Sequence, residues 1–127
     1  YLELYDTVIR DFSTHFAGFL NEIEQSLLAH QVQLERVAPC CRAEQVSAAV
    51  QAFDAAGVDL IMTLHLSYSP SLLSIDALES TRTPLLLLDT TVDETFDASV
   101  DPARIMFNHG IHGVQDLASV LRRRSRA

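Results

Sequence analysis

A continuous apolar run in the middle of the chain reads Val58-Asp59-Leu60-Ile61-Met62-Thr63-Leu64. A run that is apolar at nearly every position is typical of a strand in a parallel sheet, because helices cover both faces of such a sheet. A second run of this kind reads Pro84-Leu85-Leu86-Leu87-Leu88. Parallel neighbours need a crossover connection, so the two runs predict adjacent parallel strands joined by a helix.

Helical periodicity flanks the first run. Ala43 to Ala56 carries apolar residues at three- and four-residue spacing, and Gly57 follows as a stop signal. Between the two strands, Ser69-Pro70 has the form of an N-cap with proline at the first helical position. This pair predicts a second helix, which continues through Leu78.

The first part of the chain has a long helical pattern. Asp6 to about His30 predicts one amphipathic helix, capped by Asp6 or Thr7. Val32 to Ala38 predicts a strand, which Pro39 stops. Its mixed polarity is typical of a sheet edge.

The last part of the chain is less regular until its final helix. Thr90 to Ala103 is predicted as a loop and Arg104 to Phe107 as a short strand. Apolar residues from Val114 to Leu121 then recur at helical spacing. The last helix should therefore begin at, or just after, the segment from His109 to Gly113.

The alternation of helices with buried strands predicts an α/β fold. Right-handed crossovers would give an open parallel sheet with helices on both faces, of the flavodoxin-like kind. The 127 residues suffice for one α/β domain, spanning positions 1–127. The chain begins with a helix, whereas such a domain normally begins with a central strand. We therefore expect that the first strand is missing and that further residues precede Tyr1.

Composition excludes several partners. The formal net charge of −8 sets the surface field against polyanions, so we expect no nucleic acid partner. No apolar run approaches the ~20 residues that span a bilayer, so no membrane partner is expected. The chain opens without a signal peptide, and Cys40 and Cys41 are adjacent, a spacing that rarely meets disulfide geometry. These features predict a reduced, cytoplasmic protein.

Ligands of open α/β sheets bind outside the carboxyl ends of the strands. Four groups of residues follow predicted strands and are candidates for that edge: Cys40 and Cys41; His65, Ser67, Tyr68 and Ser69; Asp89, Thr90 and Thr91; and Asn108, His109 and His112. Each group also has a structural interpretation. The cysteines could be small buried hydrophobes, and His65 could be a histidine hydrogen-bonded inside the sheet edge. Asp89, Thr90 and Thr91 could cap the loop backbone.

The stretch from Phe107 to Leu117 contains the strongest candidate, His109, beside Asn108. Gly110 and Gly113 have no Cβ and tolerate positive φ, so the backbone could come close to a bound group. Free N–H groups at a helix start favour oxygen-rich partners. The alternative is a tight structural turn that binds nothing.

Metal and nucleotide sites are not predicted in this chain. His109 and His112 have no obvious third ligand, and tetrahedral metal sites need more than two side chains. Neither a Gly-x-Gly-x-x-Gly nor a P-loop follows a predicted strand. The chain has no lysine, which a phospho-acceptor receiver domain would need.

In their order and spacing, four segments resemble the N-terminal domain of the L-arabinose isomerase and L-fucose isomerase family of sugar ketol-isomerases. They are Val58-Asp59-Leu60-Ile61, then Leu64-His65 with Ser69-Pro70, then Thr83-Pro84-Leu85-Leu86, and Asn108-His109-Gly110. They span about the middle-to-end half of the chain.

The resemblance implies the N-terminal part of a longer enzyme of carbohydrate metabolism, which converts an aldose to a ketose through an ene-diol. In that family the divalent ion, of the manganese type, is held by later domains, so no cofactor and no catalytic residue is expected in this chain. His109 would hydrogen-bond a sugar hydroxyl at a site shared between subunits, with Asn108 and His65 as further substrate contacts. The implied partners are the sugar, the downstream domains and further subunits of a homo-oligomer.

The sequence departs from the family at two places on the presumed ligand edge. Arabinose isomerases continue the turn with Gly-Gly-Arg-Glu, whereas Ile111-His112-Gly113 follows Gly110 here. Asp89 stands where they have a histidine after the third strand. The sugar is therefore not assigned as L-arabinose.

Two other classes of function remain open. The alternative is a stand-alone flavodoxin-like binding module for a small polar ligand. A third possibility is an architectural piece, whose long first helix builds an oligomer through its apolar face.

Overall fold

The computed structural model describes residues 1–124. Three short 3-10 helices, Phe12–Phe16, Ser71–Leu73 and Pro102–Phe107, lie among the α-helices and strands. In chain order the other elements are α1 (Tyr5–Val8), α2 (Ala17–Ala29), α3 (Ala43–Ala56), β1 (Ile61–Leu64), α4 (Ile75–Ser80), β2 (Leu85–Leu88) and α5 (Gly110–Arg123).

The two apolar runs form a small parallel sheet. β1 and β2 pair in a register that places Ile61 opposite Leu85 and Leu64 opposite Leu88. The Ile61 N–H extends the ladder by donating to the Pro84 carbonyl at 2.9 Å. The parallel pairing and the helical connection between the strands are confirmed, and the chain has a mixed helix and strand fold.

One face of the sheet packs against α3, α4 and α5. Ile61 of β1 joins a core of buried side chains from these helices, with Leu85 and Leu87 of β2 at its margin. The helical members of this core are Val50, Ile75, Leu78, Leu117 and Leu121. Fully burying such a side chain contributes roughly 1.5–3 kcal/mol, so this cluster is a major source of stability.

The other face of the sheet carries an aromatic cluster. Phe12 and Phe16 are completely buried there, and Leu64 of β1 and Phe107 pack against them. The rings of Phe12 and Phe107 stack with centroids 5.3 Å apart. This cluster attaches the N-terminal helices to the face opposite α3, α4 and α5, near the carboxyl end of β1.

The prediction of one helix from Asp6 to His30 was wrong. The segment is divided into α1, the 3-10 helix Phe12–Phe16 and α2, and Asp11 before the 3-10 helix has a left-handed φ of 52°. The helix start also lacks the predicted Asp6 or Thr7 cap, because α1 follows Leu4 without a side-chain cap. Burial of both Phe12 and Phe16 outweighs the continuous helical pattern.

Two predicted strands are also wrong. Val32 to Ala38 contains no strand and is largely exposed. Arg104 to Phe107 lies in the 3-10 helix Pro102–Phe107, which Asp101 caps by accepting a hydrogen bond from the Ala103 N–H at 2.9 Å. An aspartate followed by proline favours a helical start over a strand.

The helix after Ser69-Pro70 begins later than predicted. Pro70 precedes the 3-10 helix Ser71–Leu73, and α4 begins only at Ile75. The predicted cover on both sheet faces is also incomplete, because Leu86 of β2 is 42% exposed.

Other local predictions are confirmed. α3 has the predicted bounds and ends at Gly57, whose φ of 68° is the left-handed conformation that glycine favours. α5 begins directly after His109. Among residues 1–124, no helix has both the length and the apolar character to cross a membrane.

The start of α5 lies unusually close to the chain that follows β1. A Cβ at Gly110 would be 2.3 Å from the carbonyl oxygen of His65, and a Cβ at Gly113 would be 2.5 Å from Cδ2 of the His65 ring. Neither glycine has a positive φ. Both are therefore required for close packing on His65, and not for the conformational freedom expected from the sequence.

Gly110→Ala should destabilise the fold by about 1–3 kcal/mol or more, because the new methyl group would overlap backbone that cannot rotate away. Gly18→Ala is the matched control, since a Cβ at Gly18 would meet no atom within 4 Å. The control should be neutral or stabilising by up to ~1 kcal/mol. Urea unfolding measures both, and equal effects would contradict the close contact.

Candidate functional site

The carboxyl end of β1 and the start of α5 together form a small aromatic rim. His65 and Tyr68 follow β1, and His109 and His112 belong to the beginning of α5. The rings of Tyr68 and His109 have centroids 5.9 Å apart, and those of His109 and His112 are 4.5 Å apart in an edge-to-face arrangement. We call Tyr68, His109 and His112 the rim cluster.

His109 occupies the N-cap position of α5, where its backbone leaves the helical conformation. The ring is half-buried, whereas His112 in the next turn is exposed. Within residues 1–124, the ring nitrogens of both histidines and the Tyr68 hydroxyl make no hydrogen bond to the protein. Their polar atoms remain available to a ligand or to another protein surface.

His65 lies behind the rim, with its ring against Gly113. Its Nδ1 is buried and has no hydrogen-bond partner in the described part of the chain. Burial lowers the pKa of His65 to about 4, with a further lowering from the Tyr1 ammonium, while Asp89 and Asp116 act in the opposite direction. The imidazole is therefore neutral near pH 7 and retains an unused nitrogen.

The Asn108 side chain takes part in a hydrogen-bond network with Asp93 and Arg104. Its Nδ2 donates to Asp93 Oδ2 at 2.6 Å and to the Arg104 carbonyl at 2.9 Å, and its Oδ1 accepts from the Asp93 N–H at 2.9 Å. Arg104 donates to both Asp93 oxygens through Nε and Nη2. This network connects the loop after β2 to the residue that precedes His109.

The network stabilises the ionised form of the Asp93 carboxylate. Hydrogen bonds from Arg104, and then from Asn108, lower the pKa of Asp93. Asp93 and Arg104 were not identified from the sequence. They are 15 and 4 positions before Asn108. An acidic and a basic residue at these separations give no local sequence pattern that predicts their contact with Asn108.

Two further contacts fix the loop that carries Tyr68. The Ser67 hydroxyl, which is fully buried, donates to the Met106 carbonyl at 2.8 Å. The Ser71 N–H donates to Asp116 Oδ2 of α5 at 2.8 Å. Ser67 was a candidate ligand residue from its position after a strand, but its hydroxyl is used inside the protein.

The remaining sequence candidates lie at other parts of the edge. Asp89 is exposed directly after β2 and is close enough to influence the pKa of His65. The Cys40 carbonyl accepts a hydrogen bond from the Tyr1 amino group at 3.2 Å. Both cysteines are half-buried free thiols, and burial raises the pKa of Cys40.

The rim cluster offers flat aromatic surface beside imidazole and phenol polar atoms. A neutral polyhydroxyl ligand suits this combination, because aromatic rings pack on its C–H groups while the polar atoms hydrogen-bond its hydroxyls. Among residues 1–124, no three histidine, cysteine, aspartate or glutamate side chains come together to hold a metal ion.

Comparisons with protein-family models, with curated proteins and with solved structures found no match to this chain.

Asn108→Asp should weaken the loop network, because it replaces a donor 2.6 Å from Asp93 with a second carboxylate. We expect a lower urea midpoint at pH 7, and a smaller difference from wild type at acidic pH, where one carboxylate takes up a proton. Asn21→Asp on exposed α2 makes the same charge change without this contact. Equal midpoints for the two variants at pH 7 would contradict the network.

His65 should make the fold less stable as the pH falls below 6.5. Unfolded chain binds the proton near the usual pKa of 6.5, whereas folded chain binds it only near pH 4. The unfolded state therefore holds more protons between these values, and stability declines towards pH 4. Urea midpoints at several pH values should fall less steeply in His65→Asn, and identical pH profiles would disprove the assignment.

Proposed function

We propose that this chain is a flavodoxin-like domain of a sugar ketol-isomerase similar to the L-arabinose and L-fucose isomerases. The domain contributes substrate contacts to a composite site, with His109 as the principal contact. The observation that carries the proposal is the half-buried His109 ring at the start of α5, with unbonded nitrogens beside Tyr68 and His112.

His109 is suited to donate a hydrogen bond to a sugar hydroxyl. An imidazole has a donor and an acceptor nitrogen, so it can match either polarity of a hydroxyl group. Partial burial reduces competition from water and restricts the ring, which lowers the entropy lost on binding. Asn108 would act here as a positioning residue, since its amide is used in the network with Asp93 and Arg104.

His65 would support the site as a neutral imidazole. Its buried Nδ1 lacks a partner within the described residues, so a substrate or a water molecule could use it. A neutral ring adds no positive charge beside the sugar. In this proposal the proton transfers and the divalent metal of the manganese type belong to later domains, and this chain holds no catalytic residue.

The surroundings of the rim cluster support contact with another protein surface. Ile105 and Ile111, which lie close to His109 and His112 in sequence, are 45% and 38% exposed. Exposed apolar side chains around unbonded polar groups are typical of an interface. They fit a site that is completed by a downstream domain or by a neighbouring subunit of a homo-oligomer, in a cytoplasmic enzyme.

His109→Ala in the intact isomerase, with its metal-holding domains, should lower kcat/KM for the sugar by about 10–100-fold. This range corresponds to the loss of one hydrogen bond of about 1.5–3 kcal/mol in the transition state. His30→Ala is the control, because His30 is exposed at the end of α2 and bonds the Ser26 carbonyl. Unchanged kcat/KM in His109→Ala across candidate aldoses would refute the proposed contact.

Calorimetry on this chain alone separates the proposal from a stand-alone binding module. A composite site predicts negligible heat on titration with the sugars that the intact enzyme converts. Saturable binding that His109→Ala abolishes would favour the binding module and contradict the composite site.

A further inference from the structure

A groove separates the segment 35–40 from β1. It encloses a cavity of about 620 Å³, with Val37 and Cys40 on one side and Met62 and Leu64 on the other. Leu20 of α2 also borders the cavity, as do Val46 and Val50 of α3. The two long walls thus belong to segment 35–40 and to β1, and helical side chains provide further apolar lining.

The edge of β1 that faces the groove has no strand beside it in residues 1–124, where the sheet order is β1–β2. Successive N–H groups of a strand point in opposite directions within the sheet. Because the Ile61 N–H donates towards β2, the N–H groups of Met62 and Leu64 point away from it. The Thr63 hydroxyl also borders the groove, where it is buried without a partner in the described residues.

The handedness of the helical connections indicates which strand would fit the groove. α3, α4 and α5 pack on one face of the sheet, whereas the aromatic cluster holds the N-terminal helices on the other. Right-handed crossovers on opposite faces move in opposite directions across a sheet. A strand that leads into α2 and pairs with segment 35–40 would by this rule lie on the β1 side of that segment, which is the position of the groove.

Tyr1 and Leu2 lie at the carboxyl end of this groove. The Tyr1 amino group donates to the Cys40 carbonyl at 3.2 Å, and the Leu2 N–H donates to the Tyr68 carbonyl at 3.1 Å. These bonds join the ends of the two walls, as a central strand would.

We propose that the groove is the seat of a β-strand that runs parallel to β1 and continues directly into Tyr1, as the central strand of the sheet. Its backbone would bond Met62 and Leu64 on one side and segment 35–40 on the other. Its side chains would face Leu20 on one face and Val46 and Val50 on the other. The strand must therefore be apolar at nearly every position.

Tryptophan fluorescence tests this proposal without background, because the chain has no tryptophan. One protein carries Val-Ile-Trp-Ile-Val directly before Tyr1, and the matched protein carries Gly-Ser-Trp-Ser-Gly. In the apolar version we expect blue-shifted emission that acrylamide quenches poorly, and a Tm higher by at least ~8 °C. In the polar version the emission should be that of an exposed ring.

Hydrogen exchange of the Met62 and Leu64 amides provides a second readout that does not depend on the tryptophan. Protection of both amides should rise by at least ~100-fold, which corresponds to about 2.7 kcal/mol. Equal exchange and equal quenching in the two extended proteins would overturn the proposal. So would protection of these amides in the unextended chain with sedimentation as a dimer, because a second copy would then occupy the groove. Protection by the free apolar peptide, but not by the fused one, would also overturn it.

Discussion

The close packing of α5 on the residues that follow β1 determines the arrangement of the candidate site. Backbone meets backbone at Gly110, and the His65 ring lies against Gly113, at distances that exclude any side chain at these two positions. Because this contact brings the start of a helix to the end of a strand, His109 must lie at the carboxyl edge of the sheet. The same contact buries His65 and lowers its pKa.

The rim cluster is held from two further directions. The Asp93, Arg104 and Asn108 network fixes the chain before His109, and the bond from Ser71 to Asp116 connects the loop after β1 to α5. The histidines themselves take no part in these bonds. The bonds that hold these loops therefore do not involve the rings of the rim cluster, so substitutions at the rim should change stability little.

The sequence predicted those parts of the fold whose causes are local. The periodicity of α3, the left-handed Gly57 and the apolar runs of β1 and β2 are each contained in one segment. The break at Asp11 could not be predicted in this way, because it depends on burying Phe12 and Phe16 against Phe107, which is remote in sequence. The error at Arg104 to Phe107 has a local cause, because Asp101-Pro102 is a helix-start signal that the apolar residues obscured.

The helical spacing of α5 predicted the position of His109 at the start of the helix. It did not predict which residues surround the His109 ring. The hydrogen bond from the Asn108 amide to Asp93 depends on pairing across a loop, and the contact between Gly113 and His65 depends on tertiary packing. The central proposal is that the His109 ring nitrogens hydrogen-bond a sugar hydroxyl. Its most direct test is the ¹⁵N spectrum of the histidine rings in the longer enzyme that we propose, with and without a bound sugar. We expect the His109 nitrogens to shift while those of His30 do not, and unchanged His109 resonances at saturating sugar would contradict the proposal.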